Sequence, residues 1–299
     1  MTTASVTPIR IPGYWMHKRG STVEIEASPV PGEKVVYYMH GGGYARNSAH
    51  PTDPISVIPR DLLKHAESVH RTFSIEYRIS SITTPPNPAQ SNPFPAALLD
   101  ALAGYNYLVN DIGFSPSDII FSGDSAGGNL AHALARYLVE YNDTPDMPAP
   151  PSALILLSPW TDLGMSHDKP GSSRYKFVDS DYIDSVMGDS DLDYTSAFLG
   201  PLGMDGAAHN RYISPASLHI STAVDFTGFP KTFIVAGGAE VLLDQIRTFK
   251  ERMVKDLGEE SVKYYEAPDG FHDYLVFTWH EPERTDTFKE LAKWIKTIS

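Results

Sequence analysis

At 299 residues the chain is long enough for one large α/β domain with a modest insertion, and no second independent core is required. Its 24 Lys and Arg against 37 Asp and Glu give a net charge of −13, which argues against nucleic acid or an anionic membrane surface as partner because like charges repel. There is no cysteine, so the fold owes nothing to disulfides or thiolate metal sites, which fits a reducing, cytoplasmic setting.

The first residues carry Pro8, Arg10, Pro12 and His17 and lack the apolar core of a signal sequence. The sequence leaves open whether a targeting or membrane segment precedes them. Strand patterns run over 6–10, 23–26 and 34–39, and the last leads into His40-Gly41-Gly42-Gly43-Tyr44. Three glycines at the carboxyl end of a strand leave backbone N–H groups unobstructed, as an oxyanion hole requires. Gly42 and Gly43 are assigned as donors, although the pattern does not decide which of the three amides face inward. Next, His65 and His70 stand five apart on a helix, without the i, i+4 spacing of a zinc pair, and read as a surface face. A strand over 73–77 precedes a Pro-, Ser- and Thr-rich stretch over 80–92, and Pro93 to Asp100 opens another helix.

The segment over 118–122 is a short apolar strand followed by Gly123-Asp124-Ser125-Ala126-Gly127-Gly128 and a helix from about 129 to 141. This is the nucleophile-elbow pattern, in which glycines two before and two after the serine allow a strand to turn directly into a helix at strained backbone angles. Leu130, Leu134, Leu138 and Tyr141 recur at helical spacing, which supplies the context that a bare G-x-S-x-G lacks. Ser125 is therefore the candidate nucleophile, and the N–H of Ala126 is the third oxyanion donor.

Beyond a proline-rich loop over 144–151, strands are expected over 153–157, 231–236 and 262–266. The alternation of strand and helix predicts an α/β fold with a mostly parallel, eight-stranded sheet flanked by helices. Residues 164–217 interrupt that alternation and are expected to form a small helical cap within a single domain over 1–299. In that segment Asp189, Asp191 and Asp193 resemble the start of a calcium loop but lack its glycine and closing glutamate, so 179–193 reads as a solvated acidic stretch. No metal site, cofactor or phosphate cradle is expected.

HGGG ahead of GDSAG resembles the hormone-sensitive-lipase-like branch of the α/β-hydrolases. The resemblance continues through Glu76-Tyr77-Arg78, Pro93 to Asp100 and Ser158-Pro159-Trp160-Thr161-Asp162-Leu163, and it covers nearly the whole chain. Family order then implies a triad acid and a histidine at later strand ends. Aligning Gly237-Gly238-Ala239-Glu240-Val241-Leu242-Leu243-Asp244 with the family's acid-x-x-x-Asp pattern puts the acid at Glu240, with Asp244 the alternative. Of the eleven histidines, His272 follows the last strand in the order Ser, acid, His. The sequence departs from the family over 80–92 and at its N-terminus, where strand material begins early and the N-terminal cap is short or absent.

The resemblance implies a serine carboxylesterase acting on small, short-chain (acetyl-like) esters through an acyl-enzyme. An arylformamidase-type amide hydrolase and a non-catalytic ligand receptor of the same fold are the alternatives. Tyr44, Trp160 and Phe271 are candidate pocket aromatics. Monomer and homodimer are left open.

Overall fold

A computed structural model of the chain describes residues 6–82, 90–183, 191–220 and 224–298. Its centre is a sheet of seven strands: β1 (Gly13–His17), β2 (Lys34–Met39), β3 (Val69–Ile75), β6 (Ile119–Asp124), β7 (Ala153–Leu157), β8 (Lys231–Gly237) and β9 (Val262–Ala267). Their order is β1-β3-β2-β6-β7-β8-β9; β1 runs antiparallel to β3 and every other pair is parallel. Two further short strands, β4 (Ser81–Ile82) and β5 (Gln90–Ser91), pair as a separate ribbon inside the 80–92 stretch. Residues 83–89 of that stretch lie outside the described residues.

The central strands are apolar on both faces because helices cover both. Tyr37, Met39, Phe121, Leu154, Leu156 and Ile234 point into one core; Val36, Tyr38, Ile120, Ile155, Leu157, Phe233 and Val235 point into the other. The period of two along each strand accounts for the alternation. On the first face lie the helices Ala96–Asn106, Ala126–Glu140 and Leu243–Leu257, and on the second Val57–His65 and Glu283–Ile295.

The fold class is the expected one, but the sheet has seven strands rather than eight. Of the two early segments read as strands, 23–26 leaves Val23 40 % and Ile25 70 % exposed, and Glu26 turns into the left-handed region at φ 66. The stretch over 6–10 also stays out of the ladder. Pro8 has no N–H to donate, and the carbonyl of Thr7 is taken by Arg78 Nη1 at 3.0 Å. The edge strand is instead β1, anchored by Trp15 over Phe73 with ring centroids 4.8 Å apart. Among the described residues, no helix is long and apolar enough to cross a membrane.

Candidate active site

All the candidate site groups lie just beyond the carboxyl ends of β2, β6, β7, β8 and β9, where open parallel sheets leave a crevice. Ser125 stands between β6 and the helix Ala126–Glu140 with φ 50 and ψ −119. Such a conformation costs of order 1–3 kcal/mol and persists only where the surroundings enforce it. Here its N–H donates to the Leu157 carbonyl at 2.9 Å and its own carbonyl accepts from Trp160 N at 3.0 Å, clamping the elbow to the end of β7. The flanking glycines are sterically required. A Cβ on Gly123 would lie 2.3 Å from the Gly127 carbonyl oxygen, and one on Gly127 would lie 2.0 Å from that of Met39.

Of the three glycine amides, one is engaged by Asp124. Gly41 N donates to Asp124 Oδ1 at 3.0 Å, so that amide is spent within the protein. Gly42 (φ 112) and Gly43 (φ 61) line a cavity of about 350 Å³ together with Ser125, Trp160, Tyr182 and His272. Ala126 is the first residue of its helix, so its N–H has no intrahelical acceptor. Asp124 is fully buried and also accepts from the Tyr38 hydroxyl. Burial, and then the nearby Asp273, push its pKa well up. His40 braces the same loop: its Nδ1 lies 2.7 Å from the Gly41 carbonyl, and its ring stacks on Tyr77 at 4.2 Å. Burial lowers its pKa, which favours the neutral ring.

Of the two candidate acids, Glu240 and not Asp244 lies beside His272. Glu240 is fully buried, and its Oε2 accepts from Ser158 Oγ at 2.6 Å and Gly237 N at 3.1 Å while standing 4.0 Å from His272 Nδ1. Burial raises its pKa to about 8 against the opposing pull of His272 and the Ser158 hydroxyl. Asp244 faces elsewhere, accepting Ser173 N at 2.8 Å near the start of the helix Leu243–Leu257.

His272 is buried and its Nε2 lies 3.1 Å from Asp273 Oδ2. Burial alone would lower its pKa, but the carboxylates of Asp273, Glu240 and Asp181 outweigh that and raise it to about 10. The segment over 179–193, read from sequence as solvated, proves otherwise at Asp181 and Ile183, both buried. Asp181 is 5 % exposed, because its Oδ2 accepts the N–H groups of both Val241 (2.9 Å) and His272 (3.2 Å). Asp189 and the side chains of Asp191 and Asp193 lie outside the described residues.

Among the pocket aromatics, Trp160 lines the cavity, whereas Tyr44 and Phe271 are absent from its wall. Tyr44 is buried by stacking on Phe198 at 3.8 Å and by donating to Asn129 Oδ1 at 2.6 Å. Phe271 packs with Phe277 and Trp279 at 5.1 and 5.9 Å. In their place Tyr182, Tyr194 and Phe277 line the cavity. Tyr194 meets Arg46 Nη2 through its hydroxyl at 2.9 Å. Neither Asp181 nor Tyr182 stands in a local motif, and only their position two and three residues past Asp179 in an otherwise polar run marks them. Among the described residues there is no group of three or more His, Asp or Glu side chains that could hold a metal ion.

With this geometry in view, a family model described as the alpha/beta hydrolase fold matches residues 36–276. An esterase of Acinetobacter venetianus is 25 % identical over 99 % of this chain and 83 % of its own length. An acetyl-hydrolase of Streptomyces hygroscopicus is 29 % identical over 83 % of this chain and 70 % of its own. Among solved structures, a hormone-sensitive lipase from a metagenome library superposes with a TM-score of 0.69 at 28 % identity, covering 90 % of this chain and 80 % of that one.

Proposed function

The chain belongs to the alpha/beta hydrolase fold family that matches it over 36–276, and on that premise we propose that it is a serine carboxylesterase acting on small, short-chain esters. Ser125 is the nucleophile, His272 the general base and acid, and Glu240 the carboxylate that orients the imidazole. Residues 164–217 serve as the cap of a single domain. The observation that carries this reading is the convergence of Ser125, Gly42, Gly43 and His272 on one cavity of about 350 Å³. Relatives named esterase and acetyl-hydrolase over most of the chain support the same activity.

In the first half-reaction Ser125 Oγ attacks the ester carbonyl carbon while His272 accepts the hydroxyl proton. Negative charge develops on the carbonyl oxygen, and the N–H groups of Gly42, Gly43 and Ala126 are the donors available to it. Each such donor is worth about 2.7–4 kcal/mol in the transition state. The tetrahedral intermediate collapses, the C–O bond to the alcohol breaks, and His272 returns its proton to the departing oxygen. Water then repeats the sequence on the acyl-enzyme, releasing the carboxylic acid and restoring Ser125. For Glu240 to hold the imidazolium directly, the 4.0 Å gap to Nδ1 must close by about 1 Å, a tightening common between resting and substrate-bound sites.

Hydrolysis of p-nitrophenyl acetate through octanoate by wild type and Ser125→Ala tests the reading. Turnover is expected to be highest on the shorter esters and lost in the alanine variant. Equal rates for the two proteins would refute it and favour a ligand receptor of the same fold.

A further inference from the structure

His272 is followed by a second, competing carboxylate. Asp273 Oδ2 is 3.1 Å from Nε2, the nitrogen that has to face Ser125 during proton transfer, while Nδ1 is left 4.0 Å from Glu240. Three buried polar atoms of this ring and the two carboxylates beside it have no hydrogen-bond partner among the described residues: His272 Nδ1, Glu240 Oε1 and Asp273 Oδ1. Buried groups of this kind are nearly always satisfied, so a cluster of them at one imidazole calls for an explanation. An imidazole turned to bring Nδ1 to Glu240 and Nε2 away from Asp273 would satisfy Nδ1 and free Nε2 for Ser125.

We infer that Asp273 is a positioning residue that holds His272 in a withdrawn orientation by occupying Nε2, and that each catalytic cycle exchanges Asp273 for Ser125 at that nitrogen. This rests on the esterase reading above. The backbone is built to keep the competing carboxylate in place. Asp273 adopts the left-handed conformation at φ 50 and ψ 33, and its N–H donates to Ser158 Oγ at 3.3 Å, the same hydroxyl that donates to Glu240. Asp273 also lines the cavity, so a substrate entering beside Ser125 meets the carboxylate that must let go.

The charged and titratable groups facing this pair come from several elements. They are Glu240 after β8, Asp181 from the cap segment, Asp124 at the end of β6, Tyr38 on β2, and Tyr182, whose ring centroid is 6.1 Å from that of His272. The carboxylates favour a charged imidazole, and Asp273 acts most strongly among them. A protonated imidazole cannot accept the serine proton. Asp273 therefore shifts the onset of activity to higher pH as well as withdrawing the ring.

Asp273→Asn removes the charge and keeps a side chain that tolerates φ 50. The acidic limb of its kcat/KM–pH profile is expected to move down by at least about one pH unit, raising activity below that limb about tenfold. Asp273→Gly, which accepts the same backbone, is expected to do likewise. Titration of the His272 imidazole by NMR in Ser125→Ala and in Ser125→Ala/Asp273→Asn reads the same shift with no ester turnover, and so decides the inference even if the wild type hydrolyses nothing. An unchanged His272 titration, or an activity loss at every pH with the limb unmoved, overturns it.

Discussion

Asp181 accepts the backbone N–H of His272 at 3.2 Å, and through the same Oδ2 it accepts Val241 N at 2.9 Å. A single buried carboxylate, Asp181, therefore ties the loop after β8 to the loop after β9, the two that carry Glu240 and His272. Hydrogen bonds to a charged group contribute about 1.5–3 kcal/mol each, and an amide left buried without its acceptor costs a comparable amount. Asp181→Ala is expected to lower kcat by about ten- to a hundredfold with KM little changed, because the loops lose register without losing the cavity. Steady-state kinetics on p-nitrophenyl butyrate check this. A pure KM effect would mean that Asp181 serves the cavity wall instead.

The separation of Glu240 from Asp244 makes a sharper comparison. Glu240 faces the imidazole from a fully buried position, whereas Asp244 pairs with Ser173 N at 2.8 Å. Glu240→Ala is expected to reduce kcat by about 10²–10⁴-fold. Asp244→Ala should leave kcat within a few-fold and cost about 1 kcal/mol of stability through the lost contact. Parallel kcat and urea-midpoint measurements on the two variants separate the roles, and a collapse of kcat in Asp244→Ala alone would reverse the assignment.

How far the site was legible in the sequence follows from which interactions are local. Ser125 and its glycines could be read because strand, turn and helix are contiguous, and the steric need for Gly123 and Gly127 is met within four residues and one neighbouring strand. That the Gly41 amide is already engaged is not legible locally, since its acceptor is Asp124, 83 residues away. The role of Asp181 is not legible for the same reason: its partners lie 60 and 91 residues on, and a carboxylate in a polar run looks solvated until the fold covers it. Proximity in sequence to the glycine loop does not bring Tyr44 to the cavity wall. Its left-handed φ of 62 goes with a ring stacked on Phe198 rather than turned to the cavity. The count of strands failed at the N-terminus, where apolar alternation over 23–26 was not enough without a ladder neighbour.

Gly127 offers a steric test of the elbow. A Cβ there would lie 2.0 Å from the Met39 carbonyl oxygen and 2.6 Å from that of His40, both backbone atoms that cannot swing aside. Gly127→Ala must push the helix Ala126–Glu140 away from β2, and β2 leads into the glycine loop over 41–43 that is proposed to supply the oxyanion donors. Overpacking of this kind costs about 1–3 kcal/mol, and each kcal/mol lowers Tm by about 2–4 °C in a domain of this size. The expected result is a lower Tm together with a loss of kcat larger than the stability change explains, since Ser125 and Gly42 are displaced relative to one another. Retention of full activity at reduced Tm would show that the elbow and the oxyanion loop are not mechanically coupled.

The buried pair also sets a pH dependence of stability. His272 has its pKa raised from 6.5 to about 10, so the folded state holds this proton more tightly than the unfolded chain does. Its contribution to stability is fully present below pH 6.5 and is lost as pH rises towards about 10. Glu240, raised from 4.5 to about 8, acts with the same sign over a lower window, favouring the fold at acid pH and losing that advantage as it ionises. Thermal melts are therefore expected to show Tm falling between pH 6.5 and 10. The fall should be shallower in His272→Ala, which lacks the titrating ring, and shallower in Asp273→Asn, which lacks the strongest of the anions that hold the proton. A wild-type Tm that rises over that interval, or the same slope in all three proteins, would show that the charge around His272 is not what links folding to pH.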